Sequence, residues 1–385
     1  MISKEELTKI SRDCGYPIDV IEKDYALTWA LKAIYSRPKL FKYLIFKGGT
    51  CLSKVYIENY RLSEDLDFSA YSEGKMGLEE IRRELEEALK AANQEGAPNL
   101  TLTDWHESEN HDYITCQVRY SGPRSNGRIK LDLSFNEHVI YNAKEELSNE
   151  KKYSDLTPFK IHCYALVEIL LEKARSTMQR AKSRDYYDLW QIMRHPQLLK
   201  EYKDEHGLQK IRNTLKEKCG LSSIKRLRSG QPAIEYAPER VFDEKQLEEV
   251  SAYWTEGMGA LVRRGQLPKF SEVTKELKEK FWLEAELAEF SKALGAGHLR
   301  GIERAKALPL LERAVTITCE KLKSAEASEV VKALRALSSL VGLVRIAEQK
   351  EPLLNQLNKL TEDPDNEVSK LARKRLEEIT AGKRV

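Results

Sequence analysis

Residues 46–69, FKGGTCLSKVYIENYRLSEDLDFS, decide the fold. An apolar run ends in Gly48-Gly49, a short helical pattern follows Thr50, and Asp65 and Asp67 stand two apart on a strand pattern. Side chains alternate along a strand, so both carboxylates share one face. Two carboxylates at ~4 Å repel by on the order of 4 kcal/mol at an effective dielectric of about 20. A shared proton, a basic neighbour or a divalent cation must offset that. A glycine turn rich in backbone N–H groups suits phosphate, so the sharpest reading is Mg²⁺ with a nucleoside triphosphate. Each signal alone is weak. Gly-Gly before a helix is usually a turn, and Asp-x-Asp arises by chance on exposed strands.

Outward from this stretch, residues 4–12 and 17–36 have helical period, the second with two apolar stripes. Residues 39–46 read as a short buried strand, and Thr50 as the cap of a helix over 51–59. Residues 64–69 read as the strand carrying the aspartates, and 76–95 as an amphipathic helix. Strands are expected near 112–120 and over 128–135, joined by the hairpin composition SGPRSNG. In the second, Ile129, Leu131, Leu133 and Phe135 alternate with Lys130, Asp132 and Ser134. Asp132 therefore lies on the polar face, available to Asp65 and Asp67 if the strands are neighbours. From about 157 the pattern is helical, and 162–182 places Lys173 and Arg180 seven apart on one side. A further helix starting near Ser183 puts Arg184, Asp185 and Asp188 on one face. From about 297 to 380 the chain is almost wholly helical. The segment TEDPDNEVSKLARKRLEEI (361–379) is similar to half of a HEAT-type repeat, with a small helical bundle as the plainer alternative.

The 385 residues are 41% hydrophobic and 32% charged, the composition of a soluble globular chain with two or three domains. No apolar run approaches the ~18–20 residues that span a bilayer, so no membrane partner is expected. The polar start MISKEELTKISRD is not a signal peptide, and six cysteines without CxxC spacing argue against zinc and for a reducing cytoplasm. The seven histidines form no HExxH pair, and neither GxSxG nor a P-loop occurs. Net charge is +3, but residues 171–230 hold 15 Lys/Arg against 7 Asp/Glu, a block able to steer a phosphate-rich partner or simply to form a solvated helix face.

The order strand, GGT, helix, then EDLD on a strand is the layout of a polymerase-beta-like nucleotidyltransferase palm. Four blocks extend that similarity: IEKDYALTWAL (21–31), FKGGTCLSKVY…RLSEDLDF (46–68), Lys173 with Arg180, and RDYYDLW (184–190). On these the chain resembles the AbiEii/AbiGii-toxin-like nucleotidyltransferases over about residues 1–285. The resemblance implies an α+β fold: a mixed sheet flanked by helices (1–155) and a helical domain completing the active site (156–290). The helical tail (291–385) lies outside the resemblance and is expected to be an added all-α module. The resemblance also implies transfer of a nucleoside monophosphate from a triphosphate to an acceptor, with the 3′ end of tRNA as the expected acceptor. The setting it implies is a type IV toxin–antitoxin or phage-defence system. Asp65 and Asp67, with Asp132, are the expected ligands of one or two Mg²⁺ ions. Lys173 and Asp185 are the further expected catalytic residues. Gly48, Gly49, Thr50, Lys54, Arg180 and Arg184 are expected at the nucleotide. Expected partners are the triphosphate, tRNA or another RNA, and an antitoxin or other protein at the C-terminal helices. Two alternatives stand beside this: a retired catalytic scaffold whose helical tail binds a partner, and an enzyme modifying a protein hydroxyl.

Overall fold

The computed structural model describes residues 1–70, 76–109, 111–135, 137–180, 182–201, 205–228, 236–277 and 351–380, with isolated positions between 319 and 337. The chain divides into two compact units, Met1–Lys275 and Glu276–Val385. The expected core (1–155) and the expected helical domain (156–290) as far as Lys275 fall in the first unit, and residues 276–290 fall in the second.

The first unit opens with α1 (Lys4–Cys14), capped by Ser3 and closed by Gly15 in the left-handed region, and α2 (Ile18–Ser36). Both apolar stripes of α2 are used, and it is buried on most of its circumference. The run expected as one strand over 39–46 is split. Pro38 suits the first helical position, so Pro38–Tyr43 forms α3 and only Leu44–Lys47 forms β1. The expected helix over 51–59 is instead α4 (Gly48–Cys51) continuing into a π-helical turn, Leu52–Tyr56. Thr50 does not cap it. Its hydroxyl donates to the backbone carbonyl of Asp65 and ties the glycine turn to β2 (Asp65–Ala70).

After α5 (Leu78–Gln94) come β3 (Thr101–Glu107), β4 (Tyr113–Ser121), β5 (Asn126–Ser134), β6 (Lys144–Leu147) and β7 (Lys160–Cys163). The seven strands form one mixed sheet in the order β3-β4-β5-β2-β1-β7-β6. β2 runs antiparallel to β1 and parallel to β5. One face carries Leu66, Phe68, Ile114, Cys116, Val118, Ile129, Leu131 and Leu133, all essentially without solvent exposure. Their burial stabilises the sheet, at roughly 25 cal/mol per Å² of apolar surface. The other face carries Asp65, Asp67, Asp132 and Lys130.

The β4–β5 hairpin is anchored from α2. Glu22, fully buried, accepts from the backbone N–H groups of Arg124 (2.6 Å) and Ser125 (3.1 Å) and from the Ser125 hydroxyl. Helices follow: α6 (Leu166–Gln179), α7 (Ser183–Met193), α8 (Pro196–Glu201), α9 (Glu205–Arg228), α10 (Glu244–Ala252), α11 (Trp254–Gly259) and α12 (Phe270–Leu277). No helix among the described residues is long and apolar enough to cross a membrane.

In the second unit, α13 (Glu351–Leu360) and α14 (Asn366–Thr380) pack Leu353, Leu357, Leu360, Val368 and Ala372 with Leu322, Leu334 and Leu337. Asp365 caps α14, its carboxylate accepting from the N–H groups of Glu367 and Val368. Of the stretch expected to be almost wholly helical, about 297–380, residues 297–350 lie outside the described residues apart from isolated positions, while the HEAT-like segment 361–379 falls on the turn before α14 and on α14 itself.

Candidate active site

The sheet register builds a row of side chains across four strands. Lys47 of β1 is the partner of Asp67, Asp67 of Asp132 on β5, and Asp132 of Thr115 on β4. Neighbouring strands lie ~4.8 Å apart, so Asp67 and Asp132 face each other at that spacing. The next row sets Asp65 beside Lys130 and Lys130 beside Gln117. The three expected carboxylates are therefore together on one face.

Burial pushes the Asp67 carboxyl up, Lys47 opposes this, and the charges of Asp132 and Asp65 raise it further, to about 6. Asp132 accepts from the Thr115 hydroxyl at 2.7 Å and from Lys130 Nζ at 2.6 Å. Gly48 is required by both shape and conformation. Its φ of +80° is left-handed, and a Cβ there would lie 2.6 Å from Asp67 Oδ2.

No group of three His, Cys, Asp or Glu converges as a ready ligand cage among the described residues. Of the three expected carboxylates, Asp132 is engaged by Lys130 and Thr115. The donor set nonetheless fits Mg²⁺. That ion prefers hard oxygen ligands and usually takes one or two carboxylates, completing its shell with waters and substrate phosphates.

α6 and α7 bring cations to the same place. Lys173 Nζ lies 3.2 Å from Asp185 Oδ1 and 2.8 Å from Asp188 Oδ2, and its charge reaches Asp67. Burial works against the Lys173 ammonium, but Asp188 and Asp185 more than compensate and hold it charged. Arg180 donates to Asp185 at 2.7 and 3.2 Å and is half exposed. Burial raises the Asp185 carboxyl, yet Lys173 and Arg180 bring it below the usual carboxylate range. Arg184 is half-buried in the first turn of α7 and makes no ion pair among the described residues.

Asp188 is structural. Fully buried, it accepts from Tyr60 (2.5 Å) and from Arg61 Nε and Nη2 (2.5 and 2.6 Å). Gly49 makes room for this pair, since a Cβ would lie 2.4 Å from Arg61 Nη2. One glycine of the turn thus admits Asp67 and the other admits Arg61.

Lys54 is a correction. It is not turned toward the carboxylates but buried, donating to Asp24 (2.9 Å), Thr28 (2.7 Å) and Glu150 (3.3 Å). The π-helical turn carries it to the α2 side, where it braces Asp24 together with Lys152. Thr50 is likewise a positioning residue through its hydroxyl. Part of the basic block is paired within the fold: Lys173, Arg175, Arg180 and Lys218 are bonded to carboxylates.

Sequence reasoning missed Lys47, Glu137, Arg61 and Tyr60. Buried Lys47 bonds to Glu137, which Arg175 also reaches at 3.0 Å. The available signal was a lysine directly before Gly-Gly at a strand end.

Three solved structures are similar to the chain. JHP933 from Helicobacter pylori has 17% identity, a TM-score of 0.43, and coverage of 74% of this chain and 100% of its own. A putative nucleotidyltransferase from H. pylori has 16% identity, a TM-score of 0.41, and coverage of 70% and 95%. MenT4, a nucleotidyltransferase toxin from Mycobacterium tuberculosis, has 15% identity, a TM-score of 0.47, and coverage of 87% and 98%. No curated protein sequence matches. The family model described as nucleotidyl transferase AbiEii toxin, type IV TA system, matches residues 29–276, well over half of the chain and nearly all of its first compact unit. The chain therefore belongs to the AbiEii nucleotidyltransferase toxin family of type IV toxin–antitoxin systems.

Proposed function

We propose that this nucleotidyltransferase moves a nucleoside monophosphate from a nucleoside triphosphate to the 3′-hydroxyl of an RNA, with tRNA as the acceptor. The observation that carries the reading is the Lys47–Asp67–Asp132 row beside Asp65, with Lys173 and Arg180 opposite. Asp65, Asp67 and Asp132 would hold Mg²⁺, which when bound neutralises charge on the triphosphate and the leaving pyrophosphate. The acceptor oxygen bonds to the α-phosphorus as the bond to the bridging oxygen of pyrophosphate breaks. Asp185 is bonded to two cations, Lys173 and Arg180, and Asp132 to one, Lys130, so Asp132 is the carboxylate that takes the hydroxyl proton. The half-exposed Arg180, with Arg184 near it in sequence, meets the phosphates, and Lys173 adds charge from behind. The N–H groups of Gly48 and Gly49 at the turn complete the phosphate contacts. Membership in a toxin–antitoxin family supports an antitoxin partner as well.

The test is incubation of the full chain with bulk tRNA, Mg²⁺ and each α-labelled triphosphate in turn. Label at the tRNA 3′ end, lost in Asp67→Asn, is the expected result. Label on protein with none on tRNA, or undiminished labelling by Asp67→Asn, overturns it.

A further inference from the structure

The site face does not stop at the carboxylates. Beyond Asp132 and Lys130, the same face of β5 and β4 carries Arg128 opposite Arg119, direct partners across the strands and both exposed. Like charges directly opposite each other destabilise a strand pair. Asp104 of β3 offsets it only on the side of Arg119. Asp104 lies 3.7 Å from Arg119, and Arg128 makes no ion pair among the described residues. Between the arginines and Asp132, Gln117 holds a side-chain Oε1 that is shielded from solvent and has no hydrogen-bond partner. Thr115 and Thr103 complete the polar row. Arg128 is four residues from Asp132, ~13 Å along an extended strand. The far end of this surface is fixed by the grip of Glu22 on the hairpin turn.

We propose that the exposed face of β3, β4 and β5 is the platform for the acceptor, a single-stranded RNA segment. In this arrangement Arg119 and Arg128 hold its backbone phosphates, Gln117 accepts from a ribose hydroxyl once its amide turns outward, and the 3′ end reaches Asp132. The proposal rests on the RNA-acceptor reading above. Two facing guanidiniums with spare donors suit a polyanion whose charges repeat, and an RNA backbone supplies both phosphates and hydroxyl donors.

The test is anisotropy of a 5′-labelled single-stranded RNA with the full chain at several salt concentrations. Wild type is compared with Arg119→Ala/Arg128→Ala, the double lysine variant, and Arg83→Ala on α5 as a charge control. Each phosphate contact on single strands contributes about 0.7 to the log–log salt slope. The double alanine variant should lose about 1.4 of that slope, while the lysine and Arg83 variants keep it. In transfer assays the RNA KM should rise while the triphosphate KM stays at the wild-type value. An unchanged slope and RNA KM in the double alanine variant, with wild type binding and labelling RNA, overturns the platform and leaves the RNA reading intact. Failure of wild type itself to bind or label RNA overturns both.

Discussion

Replacing Asp67 with Asn should remove nucleotidyl transfer and, in metal-free protein, make the fold more stable at neutral pH. Burial pushes the Asp67 carboxyl from 3.8 to about 6, opposed by Lys47 and aided by Asp132 and Asp65. A carboxyl whose folded pKa is raised binds its proton more tightly in the native state. The stability this adds is present below about pH 4 and is lost as pH rises through about 6. At 1.36 kcal/mol for each pH unit, the loss is about 3 kcal/mol. Asparagine does not ionise and escapes it. Urea unfolding of both proteins in EDTA should show the variant's advantage growing by about 3 kcal/mol between about pH 4 and 7, then levelling. Added Mg²⁺ should stabilise wild type alone, by about 2.7 kcal/mol at a hundredfold excess over its Kd. Parallel pH profiles would refute the electrostatic reasoning, and an active Asn variant would refute the site.

Gly48→Ala should impair transfer at least tenfold and destabilise by about 1–2 kcal/mol, because the new Cβ meets Asp67 in a left-handed backbone; kinetics and thermal melts check both. Asp188→Asn should lower stability by about 3–5 kcal/mol, since Arg61 and Lys173 lose a buried carboxylate; denaturant midpoints measure it. Lys54→Met should lower stability by about 3 kcal/mol, because Glu150 loses its buried cation while Asp24 keeps Lys152, yet leave the triphosphate KM of folded enzyme unchanged. A raised KM there would restore Lys54 to the nucleotide.

What could be read from the sequence was local and periodic. The GGT turn, the DLD strand and the alternation placing Asp132 on the polar face are patterns of period two and of special backbone, visible within a few residues. The α+β class with a mixed sheet followed from them together with the later blocks. Long-range pairing was not legible. Nothing in 128–135 says that it runs parallel to β2 across a sixty-residue gap, although the register Asp67–Asp132 depends on it. Short strands also escaped. β6 and β7 have four residues each, and the alternation of β7 is too brief to stand out from the helical pattern that follows it. A regular helix after Thr50 would set Lys54 elsewhere; the chain passes instead into a π-helical turn. Arg61 and Tyr60 went unread because their partner, Asp188, is 127 or more residues away.

That last pairing bears on modularity. Arg61 sits at the doorstep of the catalytic strand, and its only carboxylate partner among the described residues comes from a helix beginning at Ser183. A fragment ending near residue 155 would strand a guanidinium in a dry interior. The amino-terminal portion is thus no portable cassette. Its catalytic strand is seated only once the later helices arrive, so a ribosome must deliver α7 before the enzyme can become competent.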